Sequence, residues 1–179
     1  MNIFAIEKDK DGQIDWEASA KSQDNYRVVR MILESCQMLS TALNELSGKQ
    51  IARYRSTHRN HPSTKWVQES SVNFMSLVRH TRTLIKEYTE RFGKQHKCEE
   101  VLKELIVAFN PGLFPKHEAT PLPQCMPASF KCDDVVESYR KYYASKPNIR
   151  YPMNKVPGWF VKYRGDLEYQ IINKEGKKC

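Results

Sequence analysis

Residues 53–66 read Arg-Tyr-Arg-Ser-Thr-His-Arg-Asn-His-Pro-Ser-Thr-Lys-Trp, and no acid occurs between Lys49 and Lys65. Guanidinium forks, imidazoles and flat rings in one short run suit a phosphate backbone and unstacked bases. Arg55, His58, Arg59, His61 and Lys65 are the candidate contacts. The plainer reading is a solvated basic loop. A second constellation is Arg27, Arg30, Glu34, Gln37 and Thr41, which fall on one stripe of a helical wheel. Arg30 and Glu34 can form an i,i+4 ion pair, although Arg preceding Glu is the weaker order. Alternatively, a part-buried Glu34 beside cations acts on a proton or stabilises developing positive charge. The third is Trp159-Phe-Val-Lys162-Tyr163-Arg164. It is either an amphipathic edge strand or a stacking platform with phosphate contacts.

Other combinations lack a necessary part. Asp9-Lys-Asp11-Gly12-Gln-Ile14 mimics the start of a calcium loop but places Ala18 where a bidentate carboxylate is required. His58, His61, His96, Cys98, Cys125 and Cys132 have no zinc-finger or HExxH spacing, so no metal site is expected. No Walker loop, GxGxxG or GxSxG occurs, and no organic cofactor is expected.

The elements that must position these residues follow from periodicity and caps. Residues 2–6 predict a short strand or an extended arm. A helical pattern begins near Asp15, with a break at 22–25. The main helix runs from about Asp24 to Leu46 and stops at Gly48. Val28, Val29, Ile32, Leu33, Cys36, Leu39, Ala42, Leu43 and Leu46 make its apolar arc, so the polar stripe should line a groove. Pro62-Ser63 opens a second long helix, from about Thr64 to Phe92. A third spans roughly Cys98–Phe109. Five prolines across 110–127 predict an extended connection. Asp134-Val-Val-Glu137 resembles a capping box and starts a fourth helix ending near Ala144. Trp159–Tyr163 and Leu167–Ile172 flank Arg164-Gly165-Asp166 and predict a hairpin. The expected fold is mainly α: a compact single-domain helical bundle over residues 1–179, with about four main helices, an N-terminal strand or arm and a C-terminal β-hairpin.

At 179 residues the chain is long enough for a real core, and its net charge of +8 favours an anionic partner. Residues 1–24 carry six acids against three Lys, and residues 140–179 carry ten Lys/Arg against three acids, which should focus positive potential on one side. The start of the chain has no basic n-region, and no apolar run reaches the ~18 residues of a membrane span. The five Cys are odd in number and form no CxxC, so free thiols and a cytoplasmic setting are expected, with no membrane partner. The oligomeric state is open.

Several stretches together carry a family resemblance. They are Asn25-Tyr-Arg27-Val-Val-Arg30-Met-Ile-Leu-Glu34-Ser-Cys-Gln37, Thr57-His-Arg-Asn-His-Pro-Ser-Thr-Lys-Trp66, Glu87-Tyr-Thr-Glu-Arg-Phe-Gly-Lys94, Met126-Pro127 and Ser138-Tyr-Arg-Lys-Tyr-Tyr143. Over roughly Met1–Phe160 the chain resembles small phage and bacterial proteins grouped with the pyrimidine-dimer DNA glycosylases of the endonuclease V type. The resemblance implies a helical enzyme whose terminal amine, here that of Met1, attacks the sugar C1′ of a damaged nucleotide. An imine forms, the base leaves and β-elimination cuts the strand. Glu34 matches the family's Glu, nine residues after the position of the family's Asp. Trp159, Lys162 and Tyr163 match the aromatic-basic element that lies against the lesion. The chain departs from the family at Asn25-Tyr26-Arg27, which replaces Asp-x-His, and at Asn2, which is bulky and favours retention of Met1. A Met1 amine is still partly unprotonated near neutral pH and able to attack. His58 or His61 is a replacement for the lost imidazole.

The expected function is thus a DNA glycosylase/AP-lyase acting on damaged or modified bases. Met1 and Glu34 are catalytic, and Arg27, Arg30, Arg55, Arg59 and Lys65 hold phosphates. Two alternatives stay open: a non-catalytic nucleic-acid-binding module, and a viral protein that binds a nucleotide or nucleotide-derived signal in the same groove. All three require the basic stretch to fold back toward Glu34.

Overall fold

Asp24 begins the longest helix by accepting a hydrogen bond from the Tyr26 amide, and Gly48 ends it in the left-handed region at φ +69°. That helix (α2, Asn25–Ser47) is the axis of the molecule. In the computed structural model, which describes residues 1–164 and 170–172, α1 (Trp16–Lys21) packs on α4 (Ser71–Phe92), which packs in turn on α2. Helix α2 touches α3 (Pro62–Glu69), α4 and α5 (Cys98–Ala108) directly. The remaining helices are α6 (Val135–Ala144) and α7 (Gly158–Arg164). The fold is mainly helical, with seven α-helices among the described residues instead of about four. One contiguous core gathers residues from all of the long helices, with Ile32, Leu39, Leu43, Phe74 and Leu77 at its centre.

Residues 2–6 form an arm and no strand, with a tight turn in which the Ala5 amide donates to the Ile3 carbonyl (3.1 Å). Ile3, Phe4, Ala5 and Ile6 are all buried, so the arm runs through the core, with Met1 and Asn2 half-buried at its start. The amides of Ile6 and Glu7 donate to the Ser19 hydroxyl (3.0 and 2.9 Å), and Arg140 Nε donates to the Ile6 carbonyl (2.8 Å). These contacts satisfy backbone groups that a single buried strand would leave unpaired.

Three expectations are corrected. The second long helix is two helices, interrupted at Ser70, whose backbone is extended (φ −147°, ψ 140°). The Pro-rich connection inserts there: the Ser71 amide donates to the Lys116 carbonyl (3.0 Å) and Ser70 Oγ donates to the Glu118 carbonyl. Ser70 Oγ also accepts from the Val72 amide and so caps α4. Second, the expected hairpin does not form. Trp159–Tyr163 is helical, because Trp159, Phe160 and Tyr163 at i, i+1 and i+4 make one helical face, which packs on α6. Among the described residues the β pairing there is parallel, Arg150–Pro152 (β1) with Gln170–Ile172 (β2), which flank α7 in the chain. Residues 165–169, which include most of the expected turn, lie outside the described residues. Third, Asp134 caps α6 alone; Glu137 is held by Arg140 and Tyr163 rather than reaching back to the cap.

Candidate active site at the chain terminus

The buried arm delivers Met1 to the flank of α2. The Met1 ammonium lies 4.0 Å from Glu34 Oε2, with the Met1 side chain 4% exposed and that of Glu34 25% exposed. Among the described residues this is Glu34's ion pair. Arg30 does not close the i,i+4 bridge; it turns to the Tyr26 hydroxyl and stacks on that ring at 5.2 Å. A recess of about 300 Å³ opens here, lined by Met1, Asn2, Arg27, Arg30, Glu34 and Lys146 among others. Lys146 sits over the Tyr142 ring at 3.6 Å. It had no sequence signal, since it follows the end of α6 in a stretch whose course depends on Pro147 and on Asn148 at φ +57°.

The arm is aimed by a buried polar knot. Asp24 is fully buried, and Arg27 Nη1 donates to it at 2.8 Å. The Tyr143 hydroxyl donates to the same carboxylate and accepts from the Asp24 amide (2.7 Å). Arg27 also stacks on Tyr143 at 5.0 Å, and Phe4 packs edge-on against Tyr143 at 4.9 Å. Burial opposes the charge on Arg27, but Tyr143 and Asp24 outweigh it and raise its pKa. Arg27 therefore forms the recess wall as a neutralised pair and is not a free phosphate contact.

Glu34 and Arg30 also line a second recess, of about 680 Å³, on the other side. Val29, Leu33, Tyr54 and Tyr88 supply its apolar and aromatic wall, and Lys94 and Lys97 its cations. Val29 and Leu33, expected in the core arc, are 39% and 42% exposed. The α2 wheel is thus rotated from the expected one: Thr41 from the polar stripe is buried, while two apolar positions face this recess.

The basic stretch is pinned to α2. Thr41 Oγ1 donates to the carbonyls of Gln37 (2.8 Å) and Thr57 (3.1 Å) and accepts from the Thr57 amide (3.0 Å). Asn44 accepts from the Ile51 and Ala52 amides and donates to the Tyr54 carbonyl. His61 Nδ1 accepts from the Ser63 amide and caps α3. Burial lowers the His61 pKa, and the Met1 ammonium and then His58 add to the effect. His61 therefore lies within electrostatic reach of the terminal amine. The other end of the stretch points elsewhere. Arg59 pairs with Glu45 at 3.1 Å, and Arg55 lines a separate recess beside it. Glu45 is eleven residues from Glu34, or about 16 Å along the helix axis. Arg53 pairs with Glu104, and Lys65 is exposed.

Trp159, Lys162 and Tyr163 line neither recess beside Glu34. Trp159 Nε1 donates to Glu7 (2.7 Å), and its ring packs against Arg140 and Tyr143. Tyr163 donates to Glu137, and Lys162 is exposed. In the structure this element braces α6. Among the described residues no group of three His, Cys, Asp or Glu side chains is placed to hold a metal, and no helix is long and apolar enough to cross a membrane.

The family model described as pyrimidine dimer DNA glycosylase matches residues 1–100. That span contains the terminus, Glu34, the basic stretch and both walls of the second recess up to Cys98; Lys146 and the Trp159 element lie beyond it. No curated protein and no solved structure matches the chain.

Proposed function

The chain belongs to the pyrimidine dimer DNA glycosylase family, and from that premise we propose that it excises damaged or modified bases from DNA with the Met1 amine as nucleophile and Glu34 as its acid/base partner. The observation that carries this reading is the approach of the Met1 nitrogen to Glu34 Oε2, at 4.0 Å, in a recess that also presents Arg30 and Lys146.

The chemistry runs as follows. The deprotonated amine attacks C1′ as the glycosidic C–N bond breaks and the base departs with the electron pair. The nitrogen then passes one of its two protons to O4′ as the C1′–O4′ bond opens, which leaves a protonated imine, and the departed base takes up a proton. Removal of a C2′ proton then expels the 3′ phosphate by β-elimination. Glu34 stands where it can take the ammonium proton first and balance the positive charge that develops on the sugar. Arg30 and Lys146 are the phosphate contacts nearest the reacting atoms, with Arg55, Arg59 and Lys65 further along α2. His61 supplies the imidazole that the family carries on the helix. The wider recess beyond Glu34, with Tyr54 and Tyr88 in its wall, has the flat apolar lining that suits an unstacked base.

Borohydride reduction in the presence of a duplex containing a lesion or an abasic site tests this reading. The expected product is a covalent protein–DNA adduct that maps to the Met1 peptide. Absence of an adduct with every such duplex removes the lyase claim. One observation favours a second reading, non-catalytic binding: the family's helix imidazole is replaced by Arg27, which is buried in a structural pair. That reading predicts lesion-independent binding that Glu34→Gln leaves intact.

A further inference from the structure

Five Cys occur in the chain, and two of them meet where α2, α5 and the basic stretch converge. Cys98 is the first residue of α5 and contributes to the floor of the wider recess. The Cys36 thiol, fully buried on α2, points at Cys98 and lies 3.9 Å from its carbonyl oxygen. Tyr54 Oη lies 3.5 Å from the Cys98 sulfur, and His96 Nδ1 accepts from the Cys98 amide (3.1 Å). Lys94 and Lys97 line the same recess, while the acids of the first turn, Glu99 and Glu100, are drawn to Lys103 (3.3 and 2.7 Å). A helix N-terminus and a phenol therefore meet at the sulfur of Cys98, which is buried except where the recess reaches it, and a second thiol lies beside it.

We propose that Cys98 is a peroxide-reactive thiolate site for which Cys36 is the resolving thiol. The thiol donated by Cys36, against the cost of burial and with help from His96 and Tyr54, holds Cys98 well below the usual thiol range, while the same contact and burial push Cys36 up. This ordering makes one sulfur the nucleophile and its neighbour the proton-bearing partner. In the first step the Cys98 thiolate attacks one oxygen of a peroxide, the O–O bond breaks, and hydroxide leaves and takes up a proton to become water. Cys98 is then a sulfenic acid. In the second step Cys36 gives up its proton as its sulfur attacks the Cys98 sulfur; the S–O bond breaks, and hydroxide leaves as water. The peroxide is reduced, and the two thiols are oxidised to a disulfide. Such a bond ties the middle of α2, two residues from Glu34, to the start of α5 and takes Tyr54's partner away from the recess floor.

The test uses the intact chain with hydrogen peroxide and peptide mapping and does not depend on any DNA chemistry. The expected products are a Cys36–Cys98 disulfide in the native sequence and a dimedone-trapped sulfenic acid at Cys98 in Cys36→Ser. The Cys98 oxidation rate should change less than threefold between pH 6 and pH 8. Tyr54→Phe, which keeps the ring and removes the donor, should slow the reaction at pH 6 severalfold. Oxidation of Cys125 or Cys132 ahead of Cys98, or a Cys98 rate rising about tenfold per pH unit as for an unassisted thiol, overturns the assignment. Peroxide that leaves the Cys36 and Cys98 peptides unlinked overturns the resolving role.

Discussion

A 4.0 Å separation between an amine and a carboxylate is a position that one residue of chain can destroy. Adding a single residue ahead of Met1 moves the amine by up to ~3.8 Å and replaces it with an amide that cannot attack. Because Ile3–Ile6 remain buried, the fold should survive. The expected result is loss of borohydride trapping with an unchanged melting temperature. Glu34→Gln should lower the trapping rate about 10²-fold or more, in the range of a positioned acid/base group, while duplex affinity stays within about threefold. Equal loss of binding and trapping in that variant would favour a structural role for Glu34. A second residue-scale prediction concerns His80. It is fully buried, with its Nε2 set against the Gln23 amide (3.1 Å) and the edge of Trp16, and burial lowers its pKa to about 4 from 6.5. Below pH 6.5 the unfolded chain takes up a proton that the folded chain refuses until about pH 4. Stability is therefore complete above pH 6.5 and falls as the pH drops through that window, by about 3 kcal/mol in all. Urea unfolding at pH 7 and pH 4.5 should show this loss, and His80→Leu should remove most of the difference between the two pH values.

At the scale of elements, Asn44 is the residue on which the basic stretch depends. Its side chain satisfies two amides, of Ile51 and Ala52, and the Tyr54 carbonyl. Asn44→Ala leaves those groups without their partner, at a cost of about 1–3 kcal/mol. It should also loosen Tyr54 and weaken duplex binding even though Asn44 faces neither recess beside Glu34. Chemical denaturation and fluorescence anisotropy on the one variant check both effects; a destabilised protein with unaltered affinity would show that the stretch does not touch nucleic acid. The same residue shows what was legible. The limits of α2 were readable because their signals are local, an Asp before the first turn and a Gly after the last. The turn of the 53–66 stretch back onto α2 could be posed from composition, but Thr41 reads as lining a groove, and nothing local to Asn44 shows that it holds the loop. The break at Ser70 was invisible for the same reason. Periodicity runs straight through it, and what opens the helix is the backbone of residues 116–118, more than forty residues away. Arg27 reads as a groove cation until Asp24 and Tyr143 are seen to enclose it. Trp159 reads as a stacking ring until Glu7 binds its indole.

On the scale of the whole molecule, the charge asymmetry of the sequence changes meaning once partners are counted. Three of the six acids of residues 1–24 are used internally: Glu7 binds Ser22, Arg140 and Trp159, Asp15 caps α1, and Asp24 lies in the core. Among the described C-terminal cations, three are similarly engaged. Arg140 holds the arm, Lys155 pairs with Glu87, and Arg164 donates to the Ala144 and Lys146 carbonyls. Of these contacts, those of Glu7 and Arg140 hold the N-terminal arm in place. For the strand path proposed above, the field comes from the exposed cations around α2, namely Arg30, Arg55, Lys65, Lys94 and Lys97, together with Lys146. This division gives a measurable contrast. Each phosphate contact contributes about 0.9 to the slope of log affinity against log salt. Arg55→Ala and Lys94→Ala should each reduce that slope by about one and weaken binding at low salt. Arg53→Ala removes the same formal charge from the same stretch, but Arg53 is paired with Glu104, so its slope should stay near that of the native chain. Anisotropy titrations from 50 to about 200 mM salt on the three variants separate the cases. Equal slope changes for all three would mean that binding responds to net charge alone and that the site has no defined path for the strand.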